Sequence, residues 1–177
     1  MSGMEIERKF LVRNDIDFRT RARRKYAVKQ GYILAKTASV RVRLRDEKAF
    51  LTIKSKIVEG FSRYEFEKEI STDEARELLK LCERPLIEKT RYLVDVGNHT
   101  FEVDEFAGEN EGLVVAEVEL GSEDEAFDKP DFIGLEVTGD VRFYNSRLRK
   151  VPFSQWSDTI EPIYRKKIRH LPAQANV

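Results

Sequence analysis

The chain has 177 residues and 41% hydrophobic content, which suits one folded domain with a substantial core. Charged side chains make up 36% of it, against about 25% in a typical domain, yet 32 basic and 32 acidic residues cancel to a net charge of zero. That balance excludes a general electrostatic grip on nucleic acid, the lack of a long apolar run excludes a helical membrane span, and the single Cys82 excludes an internal disulfide. The expectation is a soluble protein of a reducing compartment, the cytoplasm, with neither nucleic acid nor membrane as partner. His99 and His170 are the only histidines, so zinc ligation and histidine catalysis are poorly supplied.

In chain order, Met4 to Val12 reads as a strand, followed by a polar, basic stretch from Asn14 to Arg24. Lys25 to Leu34 is a second strand. Ser39 to Arg45 alternates strictly, with Val40, Val42 and Leu44 opposite Arg41, Arg43 and Arg45, and turns at Asp46-Glu47-Lys48 into a hairpin partner, Ala49 to Ile57. Arg63 to Ile70 follows. Ser71 to Leu81 is the clearest helix, with Thr72 as its candidate N-cap and Ala75, Leu78, Leu79 and Cys82 as its apolar stripe. Leu86 to Val96 and Phe101 to Phe106 are strands joined by a Gly97-Asn98 turn, and Leu113 to Leu120 is another. The acidic stretch Gly121 to Pro130 is expected to include a short helix, Leu135 to Gly139 a short extended piece, Val141 to Lys150 a helix, and the segment after Pro162 a last helix. Strands, helix, strands and helices in this order make an α+β fold, with about eight mostly antiparallel strands.

The strands share a two-faced pattern. One face is mainly apolar. The other collects Glu5, Glu7, Lys9, Arg41, Arg43, Arg45, Lys54, Lys56, Glu65, Glu67, Lys89, Arg91, Glu102, Asp104, Glu117 and Glu119. A sheet with one face in water shows the same alternation. Here, however, like charges are grouped by strand, which costs stability unless opposite charges lie across from them. A closed barrel with the charged face inside would bring the blocks together, given paired charges, metal and an anionic ligand. At the N-terminus, Glu5, Glu7 and Lys9 lie on one strand face, a plausible half of a metal-plus-phosphate site. An isolated pattern of that kind more often marks a solvated edge strand.

The stretch Met4-Glu5-Ile6-Glu7-Arg8-Lys9-Phe10-Leu11-Val12 resembles the N-terminal signature of the CYTH family, the triphosphate tunnel metalloenzymes. Gln30-Gly31-Tyr32, Arg41-x-Arg43, Thr52-x-Lys54, Lys89-Thr90-Arg91, Phe101-Glu102-Val103-Asp104 and Ala116-Glu117-Val118-Glu119-Leu120 are similar to its later blocks, in order. Glu136 to Asp140 and Tyr144-Asn145-Ser146 resemble its closing segment. The resemblance implies an eight-stranded antiparallel closed β-barrel, a tunnel with a charged interior and helices packed outside. It covers a domain of residues 1–156, leaving 157–177 as a C-terminal extension that suits a helix, a dimer contact or a loose tail. It further implies that Lys9, Arg41, Arg43, Lys54, Lys89 and Arg91 bind phosphate oxygens, and that Glu5, Glu7, Asp104, Glu117 and Glu119 hold Mg²⁺ or Mn²⁺. Lys9 with Glu117 or Glu119 would then serve catalysis, one of the two carboxylates acting as base. Arg45, Lys56, Glu65, Glu67 and Glu102 share the face as ligands or charge partners. The implied activity is metal-dependent hydrolysis of a small triphosphate, tripolyphosphate first. Class IV adenylate cyclase, thiamine triphosphatase and non-catalytic binding of polyphosphate or nucleotide are the alternatives, with Tyr32 and Trp156 as candidate aromatics for a thiamine pocket.

Overall fold

A computed structural model describes residues 6–55 and 65–166 of the chain. The expected site residues Glu5 and Lys56, and the chain beyond residue 166, lie outside the described residues. Nine strands form one sheet: β1 (Ile6–Val12), β2 (Arg24–Ile33), β3 (Ala38–Arg45), β4 (Lys48–Ser55), β5 (Glu65–Ile70), β6 (Ile87–Val96), β7 (His99–Phe106), β8 (Val114–Leu120) and β9 (Ile133–Glu136). Their order across the sheet is β5-β4-β3-β2-β6-β7-β8-β1-β9, and every ladder is antiparallel. Two-residue turns make the tight hairpins, Asp46-Glu47 between Arg45 and Lys48 and Gly97-Asn98 between Val96 and His99. Asp46 and Gly97 take positive φ, 50° and 58°, the conformation such turns demand.

The expected closed barrel of eight strands is corrected on two points. The ninth strand, Ile133–Glu136, overlaps what the sequence offered only as a short extended piece. The sheet also keeps two edges, β5 and β9, with no ladder joining them among the described residues. The physical reason lies in β9. It has four residues and meets β1 only at Phe10↔Glu136 and Val12↔Ile133, across a shift of register, so it is too short and too irregular to carry the ring onward. The sheet nevertheless curls. Glu65 and Glu67 from one edge strand and Ile6 to Lys9 from the far side line the same cavity.

Three apolar clusters hold the curl in place. On the outer face, Phe10, Phe101, Val103, Ala116 and Val118 pack with Phe18 and Phe132 from the flanking segments. Helix α1 (Thr72–Lys80) covers β3 and β4, setting Ala75 and Leu79 against Val42 and Ala49. Its N-cap is Ser71, one residue before the expected Thr72, because Ser71 and Glu74 form a reciprocal capping box. After α1, Cys82 presses so closely on β2 that a Cβ at Gly31 would lie 2.6 Å from the Cys82 Cβ. The third cluster belongs to the inner face. There the alternation that points Lys9 and Glu117 inward continues into Leu11 and Val115, and Val137, Phe143, Leu148 and Phe153 of the C-terminal segment pack on them. The expected helix at 141–150 is a 3₁₀ turn, Val141–Phe143, and then α2 (Asn145–Lys150). Residues 121–130 contain no helix, and after Pro162 the chain makes one 3₁₀ turn before Arg165 bridges Leu113. Among the described residues no helix is long and apolar enough to cross a membrane.

Candidate active site

The inward face of the curled sheet encloses a cavity of about 1070 Å³. Strand alternation puts the charges there, and strand order sorts them by sign. Arg41, Arg43 and Arg45 enter from β3 and Lys54 from β4, while Glu7 enters from β1, Glu102 from β7, and Glu117 and Glu119 from β8. Lys9, Lys89 and Arg91 also line the cavity and meet the acidic side directly.

On the basic side, partners are too few. Arg41 and Arg43 each reach Glu67 at only 3.6 Å. Arg41 also donates to the Thr52 hydroxyl at 3.3 Å, and that hydroxyl donates to Glu67 at 2.7 Å. The Nε–H groups of both Arg41 and Arg43 are buried without a hydrogen-bond partner. Such orphaned donors are costly in a folded protein. Burial, followed by the like charge of Arg41, lowers the Arg43 pKa to about 10. Lys54 pairs with Glu65 at 3.2 Å. The hydrogen bonds and charge missing at Arg41 and Arg43 are those an oxyanion supplies.

The acidic side is richer in partners and still unbalanced. Lys9, 5% exposed, pairs with Glu117 at 2.9 Å and Glu7 at 3.6 Å. Burial opposes its charge, but Glu117 and Glu7 outweigh that and raise its pKa. Arg91 donates from Nε and Nη2 to the two oxygens of Asp104, each at 2.7 Å, and reaches Glu102 and Glu117 as well. Lys89 reaches Asp104 at 2.6 Å, yet its complete burial and the neighbouring Arg91 hold its pKa below that of an ordinary lysine. Glu7 and Glu119 are direct partners across β1 and β8, a like-charge facing that destabilises a sheet unless a cation intervenes. An all-oxygen donor set of this kind fits a hard divalent cation. Among the described residues, however, no three acidic, histidine or cysteine side chains form a ready cage.

The structure therefore brings Glu7, Lys9, Arg41, Arg43, Lys54, Lys89, Arg91, Glu117 and Glu119 to one cavity, together with Arg45, Glu65, Glu67 and Glu102. Asp104 is placed differently from the expected metal ligand. It is 1% exposed, does not line the cavity, and gives its oxygens to Arg91 and Lys89. Trp156, a candidate aromatic, packs instead against Phe143 and Phe153. Reading the sequence for charge missed the neutral lining. Tyr26, Gln30, Thr138, Tyr144 and Asn145 all face the cavity, and Asn145 accepts from Lys89 at 3.4 Å. The signal for most of them was present in the Gln30-Gly31-Tyr32 and Tyr144-Asn145-Ser146 blocks. Tyr26 had only its even spacing from Gln30.

Comparison with known proteins agrees with this arrangement. The CYTH domain family model matches residues 3–144. An inorganic triphosphatase of Acetivibrio thermocellus is 49% identical over 158 residues, 88% of this chain and 99% of that protein. One of Nitrosomonas europaea is 40% identical over 149 residues, covering 81% and 95%. Among solved structures, that of the inorganic triphosphatase NE1496 superposes with a TM-score of 0.65 at 34% identity, covering 83% of this chain and 95% of that one. The cavity, the order of its motifs and these likenesses agree, and the chain belongs to the CYTH domain family.

Proposed function

We propose that this chain is an inorganic triphosphatase that hydrolyses tripolyphosphate with the help of Mg²⁺ or Mn²⁺. The observation that carries the reading is the basic side of the cavity, where Arg41 and Arg43 keep buried N–H donors unpaired beside one shared carboxylate. The relatives named inorganic triphosphatase support the choice of substrate. Arg41, Arg43 and Lys54 bind phosphate oxygens from one side, and Lys9, Lys89 and Arg91 from the other. The arginines grip oxygens in a fork, and the lysines act as point charges. Packing by the C-terminal segment at the apolar end of the inner face restricts water there.

The carboxylates Glu7, Glu117 and Glu119 would hold the metal, together with Glu5. Once bound, a divalent ion neutralises phosphate charge and polarises the bond to be broken. Of the two candidate bases, Glu119 is the better. Glu117 is held by Lys9 and Arg91, whereas Glu119 is exposed and pairs with no cation among the described residues. Water attacks the terminal phosphorus, its proton passes to Glu119, the P–O anhydride bond breaks, and pyrophosphate leaves.

The test is a product assay with tripolyphosphate, ATP and thiamine triphosphate in parallel, with Mg²⁺ or Mn²⁺, scoring phosphate, pyrophosphate and cyclic AMP. Phosphate released from tripolyphosphate, with kcat reduced by about 10²-fold or more in Glu119→Gln, is the expected result. Cyclic AMP from ATP, or no turnover of any substrate, would sink the hydrolase reading.

A further inference from the structure

An organic group attached to a phosphate chain, such as a nucleobase, is held well by stacking on an aromatic ring. Among the described residues the cavity wall carries three such rings, Tyr26, Tyr32 and Tyr144, and each has cationic company. Tyr32, half-buried, lies beside Arg41 and Arg43. The Lys9 ammonium lies 5.2 Å from the Tyr144 ring centre. Tyr26 serves two guanidiniums, Arg24 at 4.7 Å and Arg45 at 5.1 Å. Arg45 also lies 5.1 Å from the ring of Phe50, and Arg43 lies 5.6 Å from that same ring. The result is a continuous column, Arg43, Phe50, Arg45, Tyr26, Arg24. It runs from the basic side of the cavity to the exposed first residue of β2.

We infer that Tyr26 is a specificity-determining residue: it holds Arg24 and Arg45 as phosphate donors and thereby favours a bare inorganic chain over a triphosphate that carries an aromatic base. The inference rests on the triphosphatase reading for its ligand class. Cation–π contact fixes two long, flexible side chains before ligand arrives, which lowers the ordering cost of binding. A guanidinium carries five N–H donors, so it meets phosphate oxygens without leaving the ring. A base that stacks on the ring competes with these guanidiniums for it.

The experiment is isothermal titration calorimetry of tripolyphosphate and of ATP, both without divalent metal, on the wild type, Tyr26→Ala, Tyr26→Phe and Arg24→Ala. Tyr26→Ala is expected to lower the preference for tripolyphosphate over ATP by about tenfold, mostly through weaker tripolyphosphate binding. Tyr26→Phe keeps the ring and the preference. Arg24 is exposed, so Arg24→Ala leaves the fold intact and is expected to lower the preference in the same direction. A preference that is unchanged or larger in Tyr26→Ala overturns the inference, since a larger one means the ring was a platform for the base. Tyr26→Phe behaving like Tyr26→Ala overturns it too, by assigning the effect to the hydroxyl. Turnover of the same wild-type sample is scored separately. Absence of phosphate release defeats the hydrolase reading and leaves the binding ratio to judge Tyr26, whereas release with an unshifted ratio defeats the inference alone.

Discussion

Arg43 is charged in a place that disfavours charge. Burial strips water from its guanidinium, Arg41 stands beside it, and Glu67 is 3.6 Å away and shared. A base whose pKa is lowered on folding, here to about 10, opposes folding fully at pH values below that figure, and the cost fades as pH rises above it. An anion in the cavity offsets the same cost at neutral pH. Arg43→Gln is therefore expected to stabilise the ligand-free protein by about 1 kcal/mol while weakening tripolyphosphate binding by about tenfold or more. Urea unfolding and calorimetry on the same sample check both halves, and a variant that loses stability along with binding contradicts the account. At this scale the sequence was informative about type and poor about partners. Period-two spacing put Asp104 on the charged face with Glu102, but not beneath it. Only the register of β6 and β7, which sets Asp104 opposite Arg91, shows that its carboxylate belongs to Arg91 and Lys89.

The elements were legible where local chemistry decides them. The strict alternation of β3, the turn residues between β6 and β7, and the apolar stripe of α1 each depend on neighbours a few positions away. The boundary of α1 was read one residue late because Ser71 and Thr72 both cap well, and the choice falls to Glu74, which reaches back to the Ser71 backbone. Ser71→Ala should cost about 1 kcal/mol in global unfolding. It should leave tripolyphosphate turnover unchanged, since α1 packs on the outer face, away from the cavity. A drop in kcat from this change would mean that α1 shapes the cavity wall. The elements the sequence read poorly depend on distant parts of the chain. β9 is a strand only because β1 offers it an edge, and residues 141–164 break into short helical pieces because they must fit their aromatic side chains onto the apolar end of the inner face. Closure of the barrel could not be read from alternation at all. A two-faced strand has the same pattern in an open curl as in a ring.

At the scale of the whole molecule, one cavity holds two sets of like charges that the protein leaves only partly matched. The arginines of β3 share too few carboxylates, and Glu7 faces Glu119 across the β1–β8 ladder. On the proposed function, a phosphate chain would relieve the first set and a divalent cation the second. Each ligand also brings the charge that attracts the other, so the two are expected to bind with positive coupling. Coupling of this kind is reciprocal. If Mg²⁺ tightens tripolyphosphate binding by about tenfold, tripolyphosphate must tighten Mg²⁺ binding by the same factor. In thermal unfolding, the two together should then raise the melting temperature by more than the sum of their separate effects. In Glu119→Gln the tripolyphosphate effect should persist and the extra increment should shrink, because the variant removes one acidic partner and leaves the basic side intact. Calorimetric titration of tripolyphosphate with and without Mg²⁺, repeated on Glu119→Gln, tests the coupling directly. A tripolyphosphate affinity indifferent to Mg²⁺ in the wild type would separate the two sides of the cavity, and the carboxylates would then be charge partners for Lys9 and Arg91 rather than a site for metal.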